Sequence, residues 1–456
     1  MSLYLGIDIG TTTVATVIIE KPNLSVRSVF MSPHNAYIKN ENGIAEQNVN
    51  AILTIVDQLI KKHPIDLIKK VKGIGIAGQM HGILLWNKST KKHSNLITWQ
   101  DERASVQKIL EEFQNIENCS GLRDGFGLTS LASIFYNQKN NMNDDLFNLD
   151  INHYDCCGTI MDYLVWIYIG SPNQSFIDYT NAASWGLYDI STNQWDFKAI
   201  KNLGIDINIL PTIVKTGSKV GELCHEYATK YQINSPIPVK CAIGDNQSTI
   251  IATSKNYDDE IYITFGTGTQ LSIVVNKDVT NIVEKSPKYE LRPFPYDKLL
   301  VVTAPLSGGK SWELLKDMTK DLFKKFDINF TDLQIYDKLD EMAIKELNSA
   351  DLPQVHPHFQ GERWDPSLSC TINNINLYNF SIGKIAAGLL IGLANNIKGN
   401  IPLKYFENRH IIIGNGTFFK KSKALQKAIE KVFKLPIKFT NTTEESAMGA
   451  AILSMD

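Results

Sequence analysis

Residues 5–13 read Leu-Gly-Ile-Asp-Ile-Gly-Thr-Thr-Thr, and a second apolar run follows at Val14-Ala-Thr-Val-Ile-Ile19. Aspartate is disfavoured inside a strand, so Asp8 between Ile7 and Ile9 calls for a reason. Gly10 permits a tight turn and lets a ligand come close to the backbone. Thr11, Thr12 and Thr13 then offer hydroxyls and N–H groups of the kind that hold an anion. One carboxylate beside such a turn suits a magnesium-bound polyphosphate, because Mg²⁺ keeps several waters and takes few protein ligands. An ordinary hairpin with an Asp-capped turn fits the same stretch.

The device occurs twice. Residues 260–275 run Glu-Ile-Tyr-Ile-Thr-Phe-Gly-Thr-Gly-Thr-Gln-Leu-Ser-Ile-Val-Val, again an apolar strand, a Gly/Thr turn and a second apolar strand. Two copies, one near the start of each half, imply a duplicated domain. Two such turns facing each other across a cleft would hold a nucleotide's phosphates between them. This layout resembles the actin-like ATPase superfamily, which holds sugar kinases, Hsp70-type chaperones and actin.

Bulk properties agree with a large globular protein. The chain has 456 residues, 43% of them apolar and 21% charged, with a formal net charge of −2. That length suits two domains of about 200 residues each. The near-neutral balance gives no bias toward nucleic acid or an anionic membrane. Cys119, Cys156, Cys157, Cys224, Cys241 and Cys370 show no Cys-x-x-Cys spacing, so reduced thiols are expected. The first strand begins almost at once, so no secretion signal is expected, and no apolar run approaches the ~20 residues of a membrane span. A cytoplasmic location is expected. With Ser454-Met-Asp456 at the end, no client-binding tail of the chaperone kind is expected.

The pattern alternates helices and strands, which implies α/β layers. Apolar spacing at Ile52, Ile55, Val56, Leu59 and Ile60 predicts a helix over Ala51–His63. Further helices are expected at Ser105–Phe113, Thr159–Ile169, Gly309–Phe326, Thr331–Leu347, Ser381–Gly399 and Lys421–Phe433. Strands are expected at Val71–Ala77, Val239–Ile243, Ile261–Thr264, Leu299–Val302 and His410–Ile413. Asn137–Asn152 reads as a polar loop or irregular helix. The domain boundary falls near Gly244–Tyr257, where no low-complexity linker occurs, so the halves are expected to share an interface and move as hinged bodies.

Three segments carry chemistry. Ile243-Gly-Asp-Asn-Gln247 follows a strand at the boundary, which places Asp245 as a base in an interdomain cleft; an Asp that caps the following helix fits too. Gly78-Gln-Met-His-Gly82 emerges at a strand's C-terminal end, where α/β ligand sites gather, and Gln79 and His81 can bond hydroxyls; a loop with one solvated histidine is the plain alternative. In Ile97-Thr-Trp-Gln-Asp-Glu-Arg103, Asp101 and Arg103 supply acceptors and a donor fork, while Trp99 supplies an apolar wall. An ion pair that starts the helix at Ser105 explains the same residues.

Taken in order, Gly-Ile-Asp-Ile-Gly-Thr-Thr-Thr, Gly-Gln-Met-His-Gly, Trp-Gln-Asp-x-Arg, Gly-Asp-Asn-Gln and Phe-Gly-Thr-Gly-Thr resemble the FGGY carbohydrate kinase family over nearly the whole chain. Within it the chain is most similar to the sedoheptulokinases, through Gly125-Phe-Gly127, Gly158–Tyr163 and Asn181–Gly186. Ser307-Gly-Gly309 and Gly361-Glu-Arg363 match family-wide motifs. The resemblance implies two ribonuclease H-like domains of the actin/Hsp70/sugar kinase superfamily around an interdomain cleft. Residues 1–250 would carry the sugar site, first phosphate loop and base, and residues 251–456 the second phosphate loop and adenosine site.

Roles follow position by position. Asp8 would hold Mg²⁺ through water, with Asp245 beside it as a second metal-side carboxylate and as the base. Thr11, Thr12 and Thr13 would form the first phosphate loop, and Gly266, Thr267 and Gly268 the second. Gln79, Met80, His81, Asp101, Arg103 and Asn246 would contact the sugar. Gly308-Gly309 and Gly414-Asn-Gly416 would receive adenosine. Thr417-Phe-Phe-Lys420 stands where the family continues with small residues, so the hold on the nucleotide's sugar and base is expected to differ. Leu128–Ser133 lacks the lysine many relatives carry after Gly-Phe-x, so that sugar wall is expected to differ as well. Glu444–Ala451 resembles the family's closing helix and reads as packing.

The implied activity is transfer of the γ-phosphoryl of ATP to the terminal hydroxyl of a ketose, sedoheptulose above others, in a monomer or homodimer without nucleic-acid or membrane partners. A xylulokinase or other ketose kinase would share the phosphate machinery. A non-enzymatic actin-like or sugar-sensing protein would not need Asp245 or the sugar-facing segments.

Overall fold

The computed structural model describes residues 2–41, 43–112, 121–140, 147, 149–234, 236–277, 286–440 and 444–455. Cys119, the expected helix end at Phe113, and residues 141–146 and 148 of the expected polar loop lie outside them. The chain forms two compact units. One comprises Met1–Thr253, Pro293–Tyr296 and Thr442–Asp456; the other comprises Ser254–Arg292 and Asp297–Asn441. The final segment thus clusters with the first unit, whereas the sequence reading places residues 251–456 together.

In the first unit, β1 (Ser2–Ile9), β2 (Thr13–Lys21) and β3 (Ser25–Pro33) form an antiparallel meander, and β4 (Val71–Gly78) joins β1 in parallel. Beyond β4 lie β5 (Lys219–Glu222), β6 (Pro238–Lys240) and β7 (Ile243–Gly244), giving the order β5-β6-β4-β1-β2-β3 with β7 also on β4. Side chains alternate across a strand. Leu3, Leu5, Ile7 and Ile9 therefore share one face and pack with Val49, Ile52, Val56, Leu59 and Ile60 of helix α1 (Val49–Lys62). Gly6 and Asp8 take the opposite face. Asn48 caps α1 by accepting the N–H of Ala51 at 3.0 Å.

Helices α2 (Gly127–Lys139), α3 (Ile160–Tyr168), α4 (Tyr179–Trp185) and α5 (Asp245–Thr253) complete the part of this unit that carries the site. Thr159 and Asp162 close α3 with a reciprocal capping box. The expected strand Val239–Ile243 is broken at Cys241-Ala242. Val239 of β6 pairs with Ile74, while β7 pairs with Ala77 and Gly78. Between Val239 and Ile243 four residues of chain advance against three of β4, so the break absorbs one extra residue before Asp245. Helix α2 also runs through Asn137–Lys139, so the expected polar loop begins later than the sequence indicates.

The second unit repeats the pattern. Strands β8 (Glu260–Phe265), β9 (Thr269–Asn276) and β11 (Lys298–Thr303) are antiparallel neighbours, with β10 (Glu290–Phe294) at the sheet edge. On the other side β12 (Ile411–Asn415) and β13 (Ile437–Phe439) run parallel to β8. Helices α6 (Gly309–Lys324), α7 (Asp332–Glu346), α8 (Ile382–Gly399) and α9 (Lys423–Phe433) belong to this unit. The helix expected over Lys421–Phe433 is two: Thr417–Lys421 ends before Ser422, whose hydroxyl accepts from Leu425 and starts α9. Both sheets thus place three antiparallel strands beside parallel ones, with a Gly/Thr turn between the first two.

The last helix, α10 (Glu445–Leu453), lies on the Gly6/Asp8 face of the first sheet. A Cβ at Gly6 would overlap the carbonyl oxygen of Ala447, and one at Gly75 would overlap that of Ala450. Helix backbone and sheet backbone touch, and no side chain fits between them. Ala15, Val17 and Ile19 meet Ala447, Met448 and Ala451 alongside. Gly75→Val is expected to lower the unfolding free energy by about 3 kcal/mol or more, because neither backbone can yield without losing strand or helix bonds. Denaturant unfolding checks this; a change below about 1 kcal/mol would show that α10 lifts off freely.

Candidate active site

At the end of β1 the chain turns through Gly10–Thr13, closed by the Gly10 N–H donating to the Thr13 carbonyl at 2.9 Å. Thr12 is exposed, and Thr11 and Thr13 are half-buried. Trp99 Nε1 donates to Thr11 Oγ1 at 3.0 Å, and Gln47 Nε2 donates to the Thr11 carbonyl at 2.7 Å. The Thr11 oxygen is therefore an acceptor toward the indole, and its own proton is directed elsewhere as a donor. Gln47 was not singled out by the sequence, since its partner lies 36 residues away.

Asp8 precedes this turn. Its carboxylate accepts from Ser446 Oγ of α10 at 2.8 Å. Its pKa is pushed up to about 7, chiefly by burial and then by the charges of Asp245 and Glu444, against the lowering effect of the Ser446 hydroxyl. Asp245 is the first residue of α5 and accepts the Asn246 N–H at 2.7 Å. Asp245 and Asn246 are both half-buried. Ser248, one turn further, donates to the Ser446 carbonyl at 2.7 Å. Asp8, Asp245 and the start of α10 are thus one neighbourhood with excess negative charge.

That charge suits a cation. Among the described residues no group of three or more His, Cys, Asp and Glu side chains gathers as a metal cage. A magnesium ion that arrives with phosphate oxygens and waters needs only one or two carboxylates, so Asp8 and Asp245 fit it.

The segments read as sugar-facing surround the same turn. Gln79 is buried; its Nε2 donates to Gln47 Oε1 at 3.1 Å, and its Oε1 has no protein partner. Met80 is buried with its sulfur against Gly244, immediately before Asp245. His81, at φ 74°, stacks on Phe126 at 4.6 Å, and its Nδ1 bonds the Ser184 carbonyl at 2.7 Å as the donor. Phe126 belongs to the Gly125-Phe-Gly127 segment and Ser184 to Asn181–Gly186.

Asp101 is 2% exposed and its carboxylate is saturated by protein donors. Arg103 Nη2 and Nε reach it at 2.7 and 2.9 Å, and the Ala45 N–H at 2.9 Å. Arg103 also pairs with Glu46 at 2.7 Å and lies 4.5 Å from the centre of the Phe147 ring. The ion pair anticipated as the plain alternative is the arrangement these side chains adopt. It extends to Glu46, which the sequence did not reveal.

In the second unit the turn Gly266–Gly268 is fixed to the start of α6. Gly309 N–H donates to the Gly266 carbonyl at 2.9 Å, and Lys310 N–H to the Thr267 carbonyl at 3.0 Å. Two carbonyls that would repel an anion are thereby turned into the helix N-terminus. Gly308 lies against Gly268 so closely that a Cβ would overlap its backbone. Gly361-Glu-Arg363 braces this segment: buried Glu362 accepts the Leu306 N–H at 3.0 Å, and Arg363 donates to the Ala304 carbonyl at 2.8 Å. Gly414 lies inside β12 rather than after it, pairing with Ile263, and Gly416 follows at φ 95° against Phe265.

The chain was compared with known proteins. Residues 3–252 match the family model "FGGY family of carbohydrate kinases, N-terminal domain". A sedoheptulokinase of Mus musculus is 26% identical, over 99% of this chain and 97% of that protein. Among solved structures, a xylulose kinase from Rhodospirillum rubrum superimposes with a TM-score of 0.82 at 16% identity, covering 99% of this chain and 89% of that one. A Plasmodium falciparum glycerol kinase solved with ADP gives 0.78 at 22% identity, covering 100% and 89%. These likenesses show the actin/Hsp70/sugar kinase fold.

Asp8→Ala is expected to abolish Mg²⁺-dependent phosphoryl transfer and leave the fold intact, because Leu5, Ile7 and Ile9 face the other side of β1. Activity measured beside the melting curve checks this. A variant that melts far lower, with activity tracking its folded fraction, would make Asp8 a structural residue.

Proposed function

The chain belongs to the FGGY family of carbohydrate kinases, and we propose that it transfers the γ-phosphoryl of ATP to the terminal hydroxyl of a ketose, sedoheptulose first among them. A carbohydrate kinase uses ATP and a small sugar; the choice of ketose and the residue roles are our reading. The observation that carries the mechanism is the closeness of Asp245 to Asp8 just ahead of the first Gly/Thr turn, where the Asp245 charge adds to burial in raising the Asp8 pKa.

Asp245 accepts the proton of the sugar hydroxyl as its oxygen attacks phosphorus. Phosphoryl transfer has little covalent chemistry for the protein to supply, so positioning and charge stabilisation do most of it. The turns Thr11–Thr13 and Gly266–Gly268 hold phosphate oxygens through N–H and hydroxyl donors, and the segments of Gly308, Gly309, Gly414 and Gly416 receive the adenosine. Mg²⁺ held by Asp8 and Asp245 would neutralise charge on the transferred group. His81, Gln79 and Asn246 bond sugar hydroxyls, with Asp101 and Arg103 on the same side and Met80 beneath the base.

Sedoheptulose is favoured by the similarity to a sedoheptulokinase along nearly the whole of both chains. A xylulose kinase of Haemophilus influenzae is also similar over 99% of this chain, at 23% identity, so xylulose is the second reading.

Two measurements test the proposal. Asp245→Asn is expected to lower kcat by at least ~100-fold with nucleotide affinity unchanged; near-normal turnover would remove it from the mechanism. In wild type under saturating ATP and Mg²⁺, sedoheptulose is expected to give a higher kcat/KM than xylulose, ribulose, fructose or glycerol. A site built to bond hydroxyls discriminates strongly against a sugar that leaves its polar groups unpaired. Should xylulose win, the substrate assignment falls and the kinase assignment stands.

A further inference from the structure

Buried bonds reach β7, the strand that leads into Asp245, from helix α4. Thr180 and Asp178 are fully buried. Thr180 Oγ1 donates to the Asp178 carboxylate at 2.9 Å and accepts the Gly244 N–H at 3.0 Å. Asp178 also accepts from the Asn181 N–H at 2.9 Å and from Thr216 Oγ1 at 2.6 Å. On the other side of Ile243, Asn181 Nδ2 donates to the Ala242 carbonyl at 3.3 Å. Both ends of β7 are thus tied to one turn of chain, and Gly244 is the residue immediately before Asp245.

The hydroxyl has one proton, and a carboxylate only accepts. Burial pushes Asp178 up to about 6, so above neutral pH it is ionised and fixes the Thr180 proton on itself. The Thr180 lone pairs are then left facing the Gly244 N–H. That amide has a directed, charge-polarised acceptor that sets the height at which the chain enters α5. Helix α4 also holds His81 through the Ser184 carbonyl.

We infer that Thr180, oriented by Asp178, is a positioning residue for Asp245: it fixes the backbone from which the base reaches the sugar hydroxyl and affects turnover only through that base. The inference rests on Asp245 being the base. A small misplacement of a reacting group costs far more in rate than in binding, so the effect belongs in kcat.

The test is a cycle of Thr180→Val, Asp245→Asn and the double variant. It is read by single-turnover phosphoryl transfer at pH 8 with the ketose that wild type turns over fastest, followed long enough to measure slow variants. Thr180→Val is expected to lower the rate roughly 10-fold or more, with nucleotide affinity within about 2-fold of wild type. Thr180→Ser, which keeps the hydroxyl, is expected to restore most of the rate. In the Asp245→Asn background the same Thr180→Val change is expected to cost less than about 2-fold, since no base remains to be positioned. An equal loss in both backgrounds, or full turnover in Thr180→Val, overturns the inference. Near-normal transfer by Asp245→Asn alone would instead overturn the base assignment, whatever Thr180 does. If Thr180→Val does not fold, Thr180→Cys takes its place in the same cycle.

Discussion

The contact on which the site depends is that between the last helix and the first strand. The carbonyls of Ala447 and Ala450 rest on Gly6 and Gly75 with no side chain between, and this closeness lets Ser446 reach Asp8 across 438 residues of sequence. It also removes water from the Asp8 carboxylate, which together with Asp245 and Glu444 raises its pKa to about 7. A carboxylate held in that state is poorly solvated and incompletely neutralised. A cation placed there recovers the lost solvation. Packing and charge are therefore one design: the glycines that admit the helix also create an electrostatic demand that a phosphate-bound metal ion would meet.

Much of this was legible in the sequence because it is local. The two Gly/Thr turns lie between runs of β-forming residues, and both appear where the pattern places them. Asp245 at the start of a helix follows from Gly-Asp-Asn-Gln after an apolar run. What remained hidden depends on pairing across long sequence distances. Nothing near Ser446 announces a bond to Asp8, and Glu444–Ala451 read only as packing. Thr180, just ahead of the Asn181–Gly186 segment, drew no notice in the sequence, because its partner Gly244 lies 64 positions away. The break at Cys241-Ala242 was invisible because Val239, Cys241, Ala242 and Ile243 are all apolar and buried, so hydrophobic pattern alone could not divide them.

The sugar-side residues show why single side chains are poor units of description here. Asp101 and Arg103 are locked together, Arg103 continues to Glu46, and Asp101 holds the N–H of Ala45. Two residues on, Gln47 grips Thr11 of the phosphate turn and accepts from Gln79. Trp99 closes the same circle through the Thr11 hydroxyl. At its buried members, Asp101, Gln47 and Gln79, such a web loses more than one bond when a side chain is removed, because the remaining partners are left desolvated and unpaired. The segment that would read the sugar and the turn that would hold the phosphate are thus mechanically continuous within one unit.

The bulky run Thr417-Phe-Phe-Lys420 is placed by packing as well. Phe419 is fully buried and packs edge-on against Phe265 and Phe439, 5.4 and 5.2 Å away between ring centres. It fills space beside Gly414, where a Cβ would already crowd both Phe419 and Phe439. Phe419 is therefore a core residue, and the glycine of β12 is what makes room for it. Phe418 is half-buried, stacks 6.0 Å from Trp312, and comes against Gly309 at the start of α6. One bulky residue secures the strand and the other borders the turn that fixes Gly266–Gly268. The volume of these two phenylalanines thus divides into a part that stabilises the sheet and a part that shapes the wall of the second turn.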